Sequence, residues 1–297
     1  MLKQISLAIT AILLIGCTTN AQEQPVLPPH DVVAKDVVAR QPGLMWVRRS
    51  SEYAIITARL YEEAKTDLDA ITRQRGADQR PWVVVLDADE TIFDNSQYQV
   101  EALQAGAKDF DPVAWRTWVK REEATAVPGV LSFLDHIRKR GGKLVIITNR
   151  DQNVTSHSRA NLSALGFDAD RADLCILGRG ALDRKDANPK EWEAFGYGND
   201  KDRRRRLIME GKAEACWDWQ AGDAREHYQA SWAKPHEILM YVGDNIKDFP
   251  ALTESIAEDP QAMQAVMANP HYVLLPNPVY GSWESRLKPA AALPSQP

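Results

Sequence analysis

The sequence predicts an α/β protein built on a doubly wound parallel sheet with a small helical cap. Short apolar runs rich in Val, Ile and Leu alternate with longer segments whose apolar residues recur at helical spacing, which is the pattern of a sheet with helices on both faces. A long helical stretch separates the first two strands, and it exceeds what a simple crossover needs. The chain of 297 residues is long enough for one large domain with a subsidiary one.

The first strand is predicted at residues 82–86, where WVVVL fits a strand buried on both faces. It stops at residues 87–91, DADET, which include Asp87 and Asp89. An acidic loop that caps the next helix is one alternative, but it accounts for one carboxylate and not for the D-x-D-x-T spacing. Because ligands bind outside the carboxyl ends of strands in such sheets, we predict an active site here.

The remaining elements follow from the same periodicities. A helix is expected to begin at Ser50 or Ser51. Its buried face is predicted to comprise Ile56, Leu60, Ala64, Leu68 and Ile71. Residues 101–126 should form the helical cap, and further helices are expected from Val130 to the Gly141-Gly142 pair and over 154–165. Further strands are predicted at 143–147, 174–177, 238–242 and 272–275. The charged, Trp-rich region 183–235 is interpreted as helix plus an insertion.

The domain organisation predicted from these segments has four parts. Residues 1–16 are a signal peptide, 17–40 a flexible tether and 287–297 a disordered tail. Residues 41–286 form the main domain, with the cap at about 95–128 and an N-terminal helix at 50–73. With 36 basic and 41 acidic residues, the net charge is −5. This balance argues against binding to nucleic-acid polymers in general.

The N-terminus predicts export. Lys3 precedes an apolar segment over residues 5–15, which is short for a mature membrane span, and Gly16-Cys17 follow it. This arrangement resembles the bacterial lipobox, which implies cleavage before Cys17 and a lipid on its sulfur. A plain secretory peptide that contains a cysteine is the alternative. Thr18, in place of an acid, implies an outer-membrane location for the anchored protein.

Two further cysteines, Cys175 and Cys216, would lie in an oxidising compartment after export. A disulfide between them is one reading. Cys175 stands in the apolar run 174–177, however, and this favours a buried free thiol.

Polar residues follow several predicted strands, so they should meet at one edge of the sheet. They are Asp87 and Asp89, then Thr148-Asn149-Arg150, and finally Asp244 and Asp248. A carboxylate cluster of this kind suits a hard cation, and Mg²⁺ prefers oxygen ligands while it keeps positions for water and phosphate. The absence of His and Cys from these strand ends argues against zinc. A carboxylate beside such a cation can attack phosphorus, and a second can transfer the proton.

These motifs resemble those of the haloacid dehalogenase (HAD) superfamily, and in particular its class C acid phosphatases. The four superfamily motifs match DADET at 87–91, TNR at 148–150, Asp200-Lys201 with Arg204-Arg205, and Gly243-Asp244 with Asp248. The class C features match Trp46, SEY at 51–53, DNS at 94–96 with Tyr98, VPG at 127–129, Asp248-Phe249 and PNPVYGSWE at 276–284. The class includes outer-membrane 5′-nucleotidase lipoproteins. The resemblance implies a HAD-like, Rossmann-like sheet and an Mg²⁺-dependent phosphomonoesterase that can form a homodimer.

The resemblance also implies residue roles. Asp87 is the nucleophile and Asp89 the general acid and base. Thr148, Asn149 and Lys201 bind the phosphoryl group. The metal ligands are Asp87, the backbone carbonyl of Asp89, and Asp244, with Asp248 nearby.

Two assignments have rivals. Lys185 competes with Lys201 for the phosphate, and Lys201 is preferred because Arg204-Arg205 follow it at the family spacing. For most of Arg203–Arg206, a solvated basic helix face is the simpler interpretation.

Substrate preference rests on aromatic residues. Tyr98, Trp115 and Tyr280 are candidates to stack on a nucleobase, with core packing as the alternative for each. Nucleoside monophosphates are therefore one expected substrate class. A non-catalytic storage lipoprotein and a phosphotransferase with an alcohol acceptor are the competing functions, and the presence of Asp87 weighs against the first.

Overall fold

The computed structural model describes residues 41–76, 80–180, 200–253 and 255–287. The predictions for the signal peptide, Cys17, the tether, Lys185 and residues 288–297 lie outside these ranges. No helix in the described ranges is both long enough and apolar enough to cross a membrane.

A five-stranded sheet forms the centre of the described chain, and all of its pairings are parallel. Its strands are β1 (Trp82–Leu86), β4 (Lys143–Asp151), β5 (Leu174–Arg179), β6 (Glu237–Gly243) and β7 (Tyr272–Leu274). Two short strands, β2 (Phe93–Asp94) and β3 (Thr125–Ala126), form a separate antiparallel pair. The order in the large sheet is β5-β4-β1-β6-β7. The chain therefore winds outward from β1 in one direction and then in the other, as the sequence predicts.

Alternate residues of β1 explain why its sequence is apolar without interruption. Val84 and Leu86 belong to a core cluster on one face of the sheet, where Phe133 and Leu134 also lie. Val83 and Val85 belong to a second cluster on the other face, with Ile208 and Trp232 among its members. Because both faces are covered, neither set of side chains can be polar.

The described residues also form helices, some of which cover the two faces of this sheet while others lie outside it. They are α1 (Pro42–Arg49), α2 (Ser51–Arg73), α3 (Ser96–Gln104), α4 (Pro112–Arg121), α5 (Val130–Lys139), α6 (Thr155–Ala164), α7 (Lys201–Glu210), α8 (Gly222–Trp232) and α9 (Pro260–Met267). The predicted N-cap of α2 is confirmed, since the Ser50 hydroxyl accepts from the backbone N–H groups of Glu52 and Tyr53. Its predicted buried face is wrong at Ile56, which is 42% exposed, while Tyr53, Thr57 and Tyr61 are buried instead.

The cap stands between β2 and β3 in the chain. The two strands pair with each other, so the segment that contains α3 and α4 leaves the core and returns to it at one place. A small apolar cluster of Leu44 and Val100, with Leu103 against it, joins α1 to α3. The helical stretch predicted over 101–126 is thus two helices in sequence.

Two further differences from the sequence interpretation concern β4 and region 200–235. β4 continues past its predicted end at Ile147 to Asp151, but its pairing with β5 is interrupted in between. Residues 148–150 (TNR) therefore lie outside the regular hydrogen-bond ladder, so their side chains can face the site at the carboxyl ends of the strands. In region 200–235, α7 packs on the sheet through Ile208 and α8 packs on it through Tyr228 and Trp232. Trp217, in the segment between the two helices, joins the same cluster, so the described part is a layer of the domain.

A disulfide joins Cys175 in β5 to Cys216, which ends a short 3-10 turn after α7. The expectation of a buried free thiol at Cys175 is therefore wrong. Both residues are buried, with Cα atoms 4.8 Å apart. They lie 41 residues apart in the chain, a distance over which sequence cannot predict contact.

Candidate active site

The candidate site lies where the winding of the sheet reverses. Asp87 directly follows β1 and Asp244 directly follows β6, and these two strands are neighbours. The Asp87 backbone N–H continues the ladder with a hydrogen bond to the carbonyl of Val242 (2.9 Å). The two carboxylates therefore meet at the switch point, which is where open α/β sheets bind ligands.

Three carboxylates converge at this point. Oxygen atoms of Asp87, Asp244 and Asp248 all lie within 4.8 Å of one another. Burial raises the pKa of Asp244 well above its usual range, and the neighbouring Asp248 adds to the effect. Burial also raises the pKa of Asp248 to about 6, against the opposing effect of Lys201. Three carboxylates so close together fit a hard divalent cation, which would relieve the repulsion between their like charges.

Lys201 supplies the positive charge beside this cluster. Its ammonium donates to Asp87 Oδ1 (2.6 Å) and to Asp248 Oδ1. Burial lowers its pKa, but Asp248 and Asp87 outweigh burial, so the net pKa lies above its usual value. Lys201 is the first residue of α7, whose N-cap Asp200 accepts from the backbone N–H of Arg203 (2.8 Å).

Two of the arginines after Lys201 are not solvated. Arg204 and Arg205 are buried, so the interpretation of Arg203–Arg206 as a solvated face is wrong for these two. Arg204 donates to the carbonyls of Thr148 (2.5 Å) and Leu177 (3.2 Å), and Arg205 donates to that of Asp248 (2.9 Å). Their guanidinium groups thus bind backbone carbonyls of β4, of β5 and of the turn after β6, and so they hold these parts of the site together.

Thr148 and Asn149 reach the site from β4. The Thr148 side chain is buried, and its hydroxyl oxygen accepts from the backbone N–H of Arg150 (3.1 Å), which leaves its own hydrogen for donation. Asn149 is exposed, and its Oδ1 lies 3.5 Å from Arg204. Both residues are therefore beside the α7 end of the site.

Asp89 lies apart from the three clustered carboxylates. Its Oδ1 accepts from Arg150 Nε (2.8 Å) and from Asn95 Nδ2 (3.0 Å). Burial raises its pKa above the usual value; Arg150 opposes this, and Asp87 reinforces it. The two carboxylates of the D-x-D motif thus have different partners, with Lys201 on one and Arg150 on the other.

Glu90 and Thr91 complete the turn. Glu90 adopts a left-handed backbone conformation (φ 55°), and its Oε1 accepts from the Asn95 backbone N–H (3.1 Å). Burial raises its pKa well above the usual range, and Asp89 adds to this. The Thr91 hydroxyl lies 3.4 Å from Asp244 Oδ1, while its carbonyl accepts from the hydroxyl of Tyr61 (2.6 Å).

A cavity of about 670 Å³ opens between the cap and the loop after β7. Tyr98 and Tyr280 both line it, as does Phe110, which is 63% exposed. Trp115 is not among the lining residues; its ring packs edge-on against Tyr98 at 4.9 Å. Of the three aromatic candidates, the structure therefore brings two to a common space.

The comparisons with known proteins agree with this geometry. The sequence profile of the HAD superfamily, subfamily IIIB (Acid phosphatase), matches residues 9–198, which is more than half of the chain. The chain belongs to this family of acid phosphatases. It is therefore a phosphomonoester hydrolase. HAD enzymes use a divalent metal, and the acidic cluster of Asp87, Asp244 and Asp248 supplies the oxygen ligands for one.

Two solved structures share the fold. The class C acid phosphatase from Bacillus anthracis has a TM-score of 0.61 at 24% identity, over 84% of this chain and 89% of the other. The same class of phosphatase from that organism with tungstate bound has a TM-score of 0.59 at 23% identity, over 87% and 94% of the two chains. These two structures confirm the predicted α/β fold. The family match confirms the predicted membership of the acid phosphatases of the HAD superfamily.

Three residues of this acid phosphatase lie in the sequence motifs DNS, TNR and PNPVYGSWE, but the sequence predicts no role for them. They are Asn95, Arg150 and Asn277. Asn95 and Arg150 bind Asp89, and Asn277 Nδ2 donates to Asp244 Oδ2 (2.8 Å). Their place in the motifs was the available signal, but each role depends on a partner that only the fold brings near.

Proposed function

We propose that this acid phosphatase is an Mg²⁺-dependent phosphomonoesterase that acts through an aspartyl-phosphate on Asp87. The observation that carries the proposal is the pairing of Asp87 with Lys201 at 2.6 Å, beside Asp244 and Asp248. The Lys201 ammonium beside Asp87 keeps this carboxylate ionised and offsets the negative charge of an approaching phosphate. Asp87 thus supplies the attacking oxygen, and Lys201 supplies the opposite charge next to it.

The steps of the reaction follow from the side chains. A carboxylate oxygen of Asp87 attacks phosphorus, the P–O bond to the leaving group breaks, and Asp89 gives its proton to the leaving oxygen. Water then attacks the same phosphorus, Asp89 takes up a proton from it, and phosphate leaves with Asp87 restored. Donors from Lys201, Thr148 and Asn149 stabilise the equatorial phosphoryl oxygens. The raised pKa of Asp89 supports its role as an acid.

The carboxylates of Asp87, Asp244 and Asp248 and the backbone carbonyl of Asp89 would hold Mg²⁺. When bound, the ion neutralises charge that develops on the phosphoryl oxygens. The donor set of oxygen atoms without nitrogen or sulfur favours Mg²⁺ over zinc.

The leaving group would occupy the cavity between the cap and the loop after β7. Its lining by Tyr98, Phe110 and Tyr280 suits a flat aromatic group, and a nucleobase is one. A volume of about 670 Å³ is sufficient for a nucleoside. Nucleoside monophosphates are therefore the proposed substrate class.

The proposed location is the outer membrane, with a lipid on Cys17. The lipobox-like sequence at 14–17 supports this, and so does the Cys175–Cys216 disulfide, since such bonds persist in oxidising compartments. Replacement of Cys17 by Ser should release the protein from membranes. Recovery of the wild-type protein wholly in the soluble fraction would contradict the anchor.

The test of the function is a panel of phosphomonoesters assayed with Mg²⁺ or with chelator. Phosphate release should require the metal and should be lost in Asp87→Asn, which keeps the size of the side chain. Release that persists in this variant would refute the proposed nucleophile. Added alcohol in the same assay measures transfer, which separates a hydrolase from a phosphotransferase.

A further inference from the structure

A chain of hydrogen bonds connects the cap helix α4 to Asp89. Trp118 on α4 donates from its indole Nε1 to Asn95 Oδ1 (2.9 Å), and Asn95 Nδ2 donates to Asp89 Oδ1 (3.0 Å). Trp118 and Asn95 are both buried. The cap is therefore in contact with a group that the proposed reaction uses.

The orientation of the Asn95 amide is fixed by the chemistry of its neighbours. Its Oδ1 faces Trp118 Nε1 and also Arg150 (3.2 Å), and both of these groups can only donate. The oxygen must therefore lie on that side, and the amide nitrogen must face Asp89 and Glu90. Without the indole donor, Asn95 Oδ1 would lose one of the two side-chain donors that hold it in this orientation.

Arg150 is held in the same network. Beyond Asp89 and Asn95, it donates to the hydroxyl of Ser158 (3.0 Å), and its guanidinium lies 4.5 Å from the centre of the Phe93 ring. Trp115, also on α4, lies 5.8 Å from the same guanidinium. The donors from Arg150 and Asn95 both bind Oδ1, so Oδ2 is the Asp89 oxygen that can carry a proton to a leaving group.

We propose that Asn95, held by Trp118 of the cap, is a positioning residue for the proton transfer by Asp89. This inference rests on the proposed role of Asp89 as general acid. Because the Asn95 amide and the Arg150 guanidinium both hold Oδ1, the carboxyl group of Asp89 is restricted to one orientation about its bond to Cβ, with Oδ2 toward the site. The cap thus contributes to catalysis through the acid as well as through the leaving-group cavity.

The dependence of rate on the leaving group isolates this role. A phosphate ester with a poor leaving group, phenyl phosphate, needs the proton, whereas para-nitrophenyl phosphate needs it far less. A loss of general-acid positioning lowers kcat/KM for the first ester more than for the second. A general structural defect lowers both alike.

Three variants are compared with the wild type for both esters. The measured quantity is kcat/KM for phenyl phosphate divided by kcat/KM for para-nitrophenyl phosphate. Asp89→Asn should lower this ratio by roughly 10²- to 10⁴-fold. Trp118→Phe, which keeps an aromatic ring but removes the donor, should lower it by about threefold to tenfold, the equivalent of one hydrogen bond. Asn95→Ala should lie between these two.

Trp232→Phe is the matched control. Trp232 is buried on the other face of the sheet, and within the described residues its Nε1 has no hydrogen-bond partner. This variant should leave the ratio unchanged. If Trp118→Phe and Asn95→Ala also leave it unchanged while Asp89→Asn lowers it, the inference is wrong and the function stands. If Asp89→Asn leaves the ratio unchanged, the proposed role of Asp89 fails, and the inference fails with it.

Discussion

Asn277 binds Asp244 through its side-chain amide, with 2.8 Å between Asn277 Nδ2 and Asp244 Oδ2. The Oδ1 atom of the same amide accepts from the backbone N–H groups of Val279 (3.0 Å) and Tyr280 (3.3 Å). One side chain therefore orients a carboxylate of the acidic cluster and fixes the loop that carries Tyr280 to the cavity. Partners of this kind, which hold a ligand from outside the coordination sphere, tune metal affinity.

Replacement of Asn277 by Ala should weaken binding of Mg²⁺ by about 10- to 100-fold, because Asp244 loses the donor that orients it. The concentration of Mg²⁺ that gives half-maximal activity in chelator-treated enzyme measures the effect. Asn269→Ala is the control, since Asn269 accepts from a backbone N–H two residues on, that of His271 (3.0 Å), in a turn before β7. An Mg²⁺ requirement equal in both variants would contradict this role.

Replacement of Lys201 by Ala should lower kcat by at least about 10²-fold, because Asp87 and Asp248 lose the cation between them. Stability should fall as well, by about 3–5 kcal/mol without metal, since the carboxylates remain buried and unpaired. Steady-state kinetics and urea unfolding measure the two effects. Lys185→Ala is the decisive comparison: if it abolishes turnover while Lys201→Ala stays active, the assignment of the phosphate lysine is wrong.

The pH dependence of stability should include a contribution from His236. Burial lowers its pKa from 6.5 to about 4, and the charge of Lys143, whose Nζ is 3.3 Å from His236 Nε2, acts in the same direction. A hydrogen bond with the Lys234 backbone raises the pKa of His236 and so opposes these two effects, while the charge of Lys234 lowers it by a smaller amount. Between these pH values the unfolded chain binds more protons than the folded protein does. The free energy of unfolding should therefore fall as the pH drops from about 6.5 to about 4.

His236→Gln should flatten this part of the stability profile, because it removes the titrating group and keeps an acceptor for Lys143. Thermal unfolding at a series of pH values measures it. His227→Gln, at an exposed position on α8, should leave the profile as in the wild type. Equal slopes for all three proteins would show that His236 contributes nothing to acid sensitivity.

Loss of the disulfide should cost about 4 kcal/mol, because the bond closes a loop between residues 41 positions apart and restricts the unfolded chain. Cys175→Ser, Cys216→Ser and the double variant should be destabilised alike in urea unfolding, since each lacks the same bond. The enclosed loop contains α7, so Lys201 also depends on this closure. A single variant as stable as the wild type would contradict a stabilising role.

Tyr280→Ala should raise KM for a nucleoside monophosphate by about five- to 100-fold, the value of stacking on one base. KM for glycerol phosphate, which has no ring, should change little. Trp219→Ala, which removes an exposed aromatic residue that does not line the cavity, is the control. Equal changes in KM for both esters would show that Tyr280 does not recognise the leaving group.

Local patterns in the sequence determine the strands and the motifs of this acid phosphatase. The run at 82–86 is apolar because both of its faces are covered, so its bounds agree with those of β1. The carboxyl ends of parallel strands must share an edge, and this is why Asp87 and Asp244 could be assigned to one site before any contact was known.

Contacts between distant residues were decided only by the tertiary structure. The Cys175–Cys216 bond, the burial of Arg204, and the Trp118–Asn95 hydrogen bond each join segments whose separation is set by packing. The sequence around Arg204 is basic, and a solvated face is the ordinary outcome for such a run; here carbonyls at the strand ends take the donors. Residue types and periodicity thus determine which catalytic groups the chain carries. The packing of the cap and of α7 on the sheet decides which side chains form hydrogen bonds with those groups.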